Sequence, residues 1–296
     1  MTHNLRIVVW VCVVTLALLA GPALLRGQDI EWIHQFGSGY YDYPQGVTSD
    51  ASGVYIAGST FGTFPGETHW GQSDAFVCKY NLGGTQLWCR QFGSYYVGSF
   101  DSAQGVASDG SGVYVVGGAG VGFLPGQTNV GAYVCKFDSA GNQVWCDQFG
   151  SGTYSGAFAV ASDLSGVYVV GMGPIAGQPI ADAFVCRYDS DGNQSWCRGY
   201  AAALGPRGDG YFGVTTDASG VYVLGLTKTP FPGQTQVGGD DAFLCKYDTE
   251  GNQALVPPVR HDERRPALWR GQRPQRNLRD RDYSRNLPRA DQRGAR

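Results

Sequence analysis

Between residues 28 and 253 the chain reads as short apolar runs broken by polar turns, and no window carries apolar residues at helical spacing. Val47-Thr48-Ser49 leads into Asp50-Ala51-Ser52-Gly53, and Val54-Tyr55-Ile56 follows. An Asp that bonds its own backbone and a Gly that takes positive φ make a tight turn. β-Branched and aromatic residues on both sides of such a turn predict a hairpin. A second hairpin is predicted from Phe76–Tyr80 and Gln86–Phe92, folded about Gly83-Gly84. In later copies Ser139-Ala140-Gly141-Asn142 and Ser190-Asp191-Gly192-Asn193 fill the same turn.

The unit recurs. SGVY begins at Ser52, Ser111, Ser165 and Ser219, at spacings of 59, 54 and 54 residues. DAFVCKY follows from Asp74, with relatives from Gly131, Asp182 and Asp241; LWCRQFG follows from Leu87, with relatives from Val144 and Ser195. A looser phrase (FPGET at Phe64, LPGQT at Leu124, FPGQT at Phe231) lies between the first two. Four antiparallel strands repeated at this interval predict an all-β chain of β-propeller blades. Four units are present, so an incomplete ring is expected, with unpaired strand edges and exposed blade faces.

The combined wording DAFVCKY, DSAGNQVW, QFG, GVASD and SGVYVVG resembles the bacterial β-propeller repeat family abbreviated SBBP, over roughly Glu31–Gln253. The resemblance implies propeller blades and an exported or surface protein, but no shared activity. Two positions usually small in that family are Cys here, and the PGQT phrase is an addition.

Those cysteines are spaced regularly. Cys78 and Cys89, Cys135 and Cys146, and Cys186 and Cys197 are each 11 residues apart. In a hairpin folded about Gly83-Gly84, Cys78 and Cys89 face each other across the ladder, where opposed Cβ atoms lie ~4.5–5.5 Å apart. Disulfides Cys78–Cys89, Cys135–Cys146 and Cys186–Cys197 are expected in an exported chain, with buried reduced thiols as the alternative. Zinc is not expected, because each pair stands alone in its own unit. Cys245 is expected to be unpaired, since Val256 occupies its mate's place. Glu31–Gly37 repeats the LWCRQFG phrase with Ile33 in the Cys position and no preceding hairpin partner. It reads either as a strand closing a blade built from the far end of the chain or as an eroded first repeat.

The ends differ from the body. A short polar start with one Arg, then the apolar run Ile7–Leu25, reads as a signal peptide over residues 1–27, and no further membrane span is expected. From Ala254 the repeat wording stops, and residues 254–296 carry 12 Arg against 5 acidic residues. Back-translated and read one nucleotide later, this stretch can spell LWCRQFG and then a further SG-containing unit. A frameshifted repeat, presenting as an Arg/Pro-rich disordered tail with no binding role, is therefore expected.

Composition narrows the function. Gly accounts for 45 of 296 residues, and 17 Tyr, 14 Phe and 7 Trp argue for a packed rather than disordered chain. Residues 28–253 carry 8 basic and 20 acidic residues, so nucleic acid is not an expected partner. No cofactor or metal is expected. Asp189-Ser190-Asp191-Gly192-Asn193 lacks the Glu and the flanking helices of a calcium loop. Asp50, Asp109, Asp163 and Asp217 recur at every first turn, as structural residues do. His34 and His69 show no acid partner in the sequence, and Asp42 and Gly205-Pro206-Arg207-Gly208-Asp209 are the only other unusual charges. The inter-blade segments instead collect Tyr40, Tyr41, Tyr43, Tyr95, Tyr96 and Tyr154 among Gly and Ser. They are candidates for stacking on a glycan or peptide at one end of the blades, or for wedging between blades as core. The expectation is a non-catalytic scaffold of the cell surface or extracellular space that binds an extracellular glycan or protein. The alternative is a polysaccharide-acting enzyme on the same scaffold, which an unrepeated acidic or His cluster would mark.

Overall fold

The computed structural model describes residues 30–152, 155–177, 183–200, 210–231 and 233–253. The predicted signal peptide and the Arg-rich segment lie outside them.

The structure is all-β, with four antiparallel sheets that each follow one sequence repeat. The first holds β1 (Asp42–Asp50), β2 (Gly53–Thr60), β3 (Asp74–Tyr80) and β4 (Gln86–Phe92) in sequential order. The second holds β5 (Asp101–Ser108), β6 (Val113–Ala119), β7 (Gly131–Phe137) and β8 (Gln143–Gln148). The third holds β9 (Gly156–Asp163), β10 (Gly166–Met172), β11 (Ala183–Tyr188) and β12 (Gln194–Tyr200). The fourth holds β13 (Gly210–Asp217), β14 (Gly220–Thr227) and β15 (Asp241–Tyr247), with no fourth strand among the described residues. Sequential meanders packed through their first strands (β1 on β5, β5 on β9, β9 on β13) are the blades of a propeller-type fold. No closed ring forms among the described residues.

The local chemistry matches the sequence reading. The Asp50, Asp109, Asp163 and Asp217 carboxylates each accept from the backbone N–H and the hydroxyl of Ser52, Ser111, Ser165 and Ser219 at the first turn. In the second hairpin the Gly84 N–H donates to the Asn81 carbonyl, and Gly84 takes φ +81°. Together these make a type I turn with a bulge. That turn sets Cys78 opposite Cys89, Cys135 opposite Cys146 and Cys186 opposite Cys197. All three pairs are disulfides with Cα atoms 4.0 Å apart, and Cys245 is free and buried. Three intrachain disulfides point to an oxidising, extracellular environment.

The core lies between the blades rather than within them, because a single sheet has apolar residues on both faces. One layer joins Tyr55, Val77 and Phe92 of the first blade to Val113, Tyr133 and Phe137 of the second. Equivalent layers join the second to the third and the third to the fourth. A repeated joint locks each pair at the rim. The indole N–H of Trp88, Trp145 and Trp196 donates to a carbonyl in the next blade's outer turn (Ser139, Ser190 and Thr249, at 3.0, 3.0 and 2.9 Å).

Residues 31–37 form no ladder, yet they occupy the same joint on the first blade. The Trp32 indole donates to the Leu82 carbonyl at 3.2 Å. Phe36 packs on Phe76 and Tyr80 at ring distances of 6.2 and 5.5 Å. Phe92 takes the equivalent place on Tyr133 and Phe137 of the second blade, at 5.8 and 5.3 Å. The segment thus sits where the outer strand of a preceding blade would sit.

Candidate functional site: an aromatic loop face

The connections between the second and third strands meet the inter-blade connections at one end of the sheets. Gln72 N–H donates to the Ser99 carbonyl at 2.8 Å and Asp101 N–H to the Ser73 carbonyl at 2.9 Å, so residues 61–73 and 93–101 form one surface.

Tyr40 and Tyr41 on the segment leading into β1, Tyr43 at the start of β1, and Tyr95 and Tyr96 on the inter-blade connection are all exposed at this end. The alternative that they wedge between blades is overturned, because Tyr55, Tyr80, Tyr114, Tyr133, Tyr168 and Tyr188 of the strands fill that core instead. Tyr154 lies outside the described residues. Further rings that the sequence reading missed join them. Tyr95 stands edge-on to Trp70 at 4.5 Å. Tyr43 packs on Phe61 at 5.9 Å, and Phe61 on Phe100 at 6.3 Å. Trp70 falls two residues past the FPGET phrase and Phe100 just before β5, and only the contact between the two loops brings them to the Tyr residues.

Beneath the rings the carboxylates hold loops in place. Asp42 accepts from the Ser38 N–H and hydroxyl, both at 2.8 Å. Asp101, fully buried, accepts from the Ser94 N–H at 2.6 Å, the Ser94 hydroxyl at 2.9 Å and the Ser99 hydroxyl at 2.6 Å. Burial holds its carboxyl above the usual range, opposed by these bonds and reinforced by the charge of Asp74. Asp74, also buried, accepts from the N–H groups of Trp70 and Gly71 and from the Gln91 amide at 2.7 Å. His69 Nδ1 lies 3.2 Å from Asp74, an acid partner that the sequence did not reveal. The same loop grip recurs in the fourth blade, where Asp241 accepts from the N–H groups of Val237 and Gly238. A carboxylate used in this way at two separate loops is a clamp. His34 packs against Tyr80 at 5.1 Å.

Among the described residues no group of three or more His, Cys, Asp or Glu could hold a metal ion. A hollow of about 680 Å³ lies elsewhere, lined by Ser165, Arg187, Ser195, Trp196, Arg198, Thr249 and Glu250. It lies at the Trp–turn joint between the third and fourth blades, and the same Trp-to-turn hydrogen bond recurs between the other adjacent blades. In comparisons with known proteins, no family model and no curated protein matches the chain.

Proposed function

We propose that the protein is an exported, non-catalytic interaction scaffold of the SBBP-type repeat class that binds an extracellular glycan through the aromatic loop face of its first two blades. The observation that carries this reading is the set of exposed rings (Tyr40, Tyr41, Tyr43, Tyr95, Tyr96 and Trp70) at one end of the first two blades, on segments held by the carboxylates of Asp42, Asp74 and Asp101. Sugar rings present apolar C–H faces that stack on such side chains, and rings fixed by a rigid scaffold lose little entropy on binding. The clamping role of Asp42, Asp74 and Asp101 supports binding over hydrolysis, because those carboxylates are already occupied by N–H and O–H donors. The disulfides support export.

A glycan array probed with the full chain, followed by hydrolysis assays on any glycan that binds, tests the proposal. Binding without turnover is the expected result, and Tyr95→Ala with Trp70→Ala is expected to weaken it by roughly tenfold or more, about 1.4 kcal/mol. Turnover of a glycan, or binding indifferent to both substitutions, overturns it.

A further inference from the structure

The two ends of the blade stack are complementary to each other. On the fourth blade, Leu224 and Leu244 are 51% and 64% exposed. Their counterparts in the third blade, Val170 and Val185, are fully buried, because the fourth blade covers them. At the other end, Val47 of β1 is 70% exposed, whereas its counterpart Val106 packs back onto Gly46 of the preceding blade, 3.1 Å from a Cβ placed there. The counterparts of Leu224 and Leu244 are fully buried in the other three blades, and those of Val47 are wholly or partly covered in the other three.

The strand inventory is complementary too. The fourth sheet has three strands among the described residues, while residues 31–37 hold the position of an outer strand with no sheet behind it. After β15 the chain enters the outer position as far as Gln253, which bridges Tyr247, and the remaining places along β15 are unfilled among the described residues. Residues 31–37 have the right wording. In the register of the other blades Ile33 would face Cys245, one residue lacking the sulfur and the other lacking its mate. β1 and β13 do not pack together as neighbouring first strands do, so the partner is not the chain's own fourth blade.

We infer that two copies of this chain associate head to tail, the fourth sheet of each taking residues 31–37 of the other as its outer strand. The pairing is mutual, so it closes as a twofold dimer rather than running on as a filament. Eight sheets then stand in one round, within the range of about four to eight blades that propellers adopt. Lys246 would meet the partner's outer turn. Within the chain, Lys79 and Lys136 already donate to the next blade's turn, at the Ser139 and Ser190 carbonyls.

Ile33→Cys in the full chain tests the register. Incubated with oxidised glutathione, which accepts the two electrons and becomes two thiols, the variant is expected to run at twice the chain mass on a non-reducing gel. Adding Cys245→Ser is expected to abolish that band. A bond formed within one chain, seen as loss of both thiols at monomer mass, would place the strand in the chain's own fourth sheet and overturn the inference, as would no bond at all. Sedimentation of the unmodified chain gives a second reading that does not depend on this variant. A dimer that Leu244→Arg turns into a monomer with unchanged circular dichroism is expected. A monomer at every concentration, or a dimer untouched by Leu244→Arg, refutes it.

Discussion

Gly141 serves two purposes at once. It takes φ +83° at the bulged turn, and a Cβ there would lie 2.8 Å from the Trp88 ring of the preceding blade. Gly110 shares the backbone requirement, with φ +81°, but has open space around it. Gly110→Ala is therefore expected to cost about 1 kcal/mol from backbone strain alone. Gly141→Ala is expected to cost clearly more, because the indole must also leave its seat; urea unfolding of both variants measures the difference. The Asp residues of these turns make stability depend on pH. The Asn142, Asn193 and Asn252 side chains, then their backbone N–H groups, hold Asp138, Asp189 and Asp248 below the usual 3.8. A carboxyl lowered on folding stabilises the protein above its unfolded value, and that stability is lost as pH falls through the folded value. The urea midpoint is thus expected to drop below about pH 4, and less steeply in a variant with all three Asp changed to Asn. Asp101 and Asp147 work in the opposite sense, because burial raises both.

At the scale of the element, each outer hairpin is held by its ladder, its bulged turn and one disulfide. Closing an 11-residue separation restricts the unfolded chain by about 2–3 kcal/mol. Replacing Cys135 and Cys146 together by Ser is expected to lower unfolding free energy by that amount while leaving the fold intact. Alkylation in denaturant without reductant is expected to label Cys245 and none of the six paired cysteines. The hairpin was legible because three facts agree: the 11-residue spacing, the Gly at the bulge, and a two-residue side-chain period that puts both sulfurs on one face. The joint between blades was less legible. Trp88 carries nothing in its own sequence neighbourhood to say that its N–H reaches a carbonyl 51 residues away.

For the molecule as a whole, stability resides in the layers between blades, so an element can be essential without joining any ladder. Phe36 is such a case, packed among Phe64, Phe76 and Tyr80. Phe36→Ala is expected to cost about 2 kcal/mol, short of the ~3–5 of a fully enclosed ring, as measured by urea unfolding. A strand that served only as a frayed end would show no loss. The exposed aromatic face sits at one end of the same stack, on loops whose length varies between repeats while the strands stay constant, the usual division between scaffold and recognition surface.

Periodicity in the sequence was enough to determine the sheets, their turns, the disulfide partners and the free thiol, because each follows from contacts within about fifty residues that every repeat restates. The tertiary structure alone decided the rest. It showed that the loop tyrosines face outward, since strand tyrosines had already filled the space between blades. It joined Trp70 and Phe100 to them, and it set His69 against Asp74. It also placed residues 31–37 on the first blade. Each depends on how one sheet meets its neighbour, and side-chain packing across that distance leaves no regular mark on the order of residues along the chain.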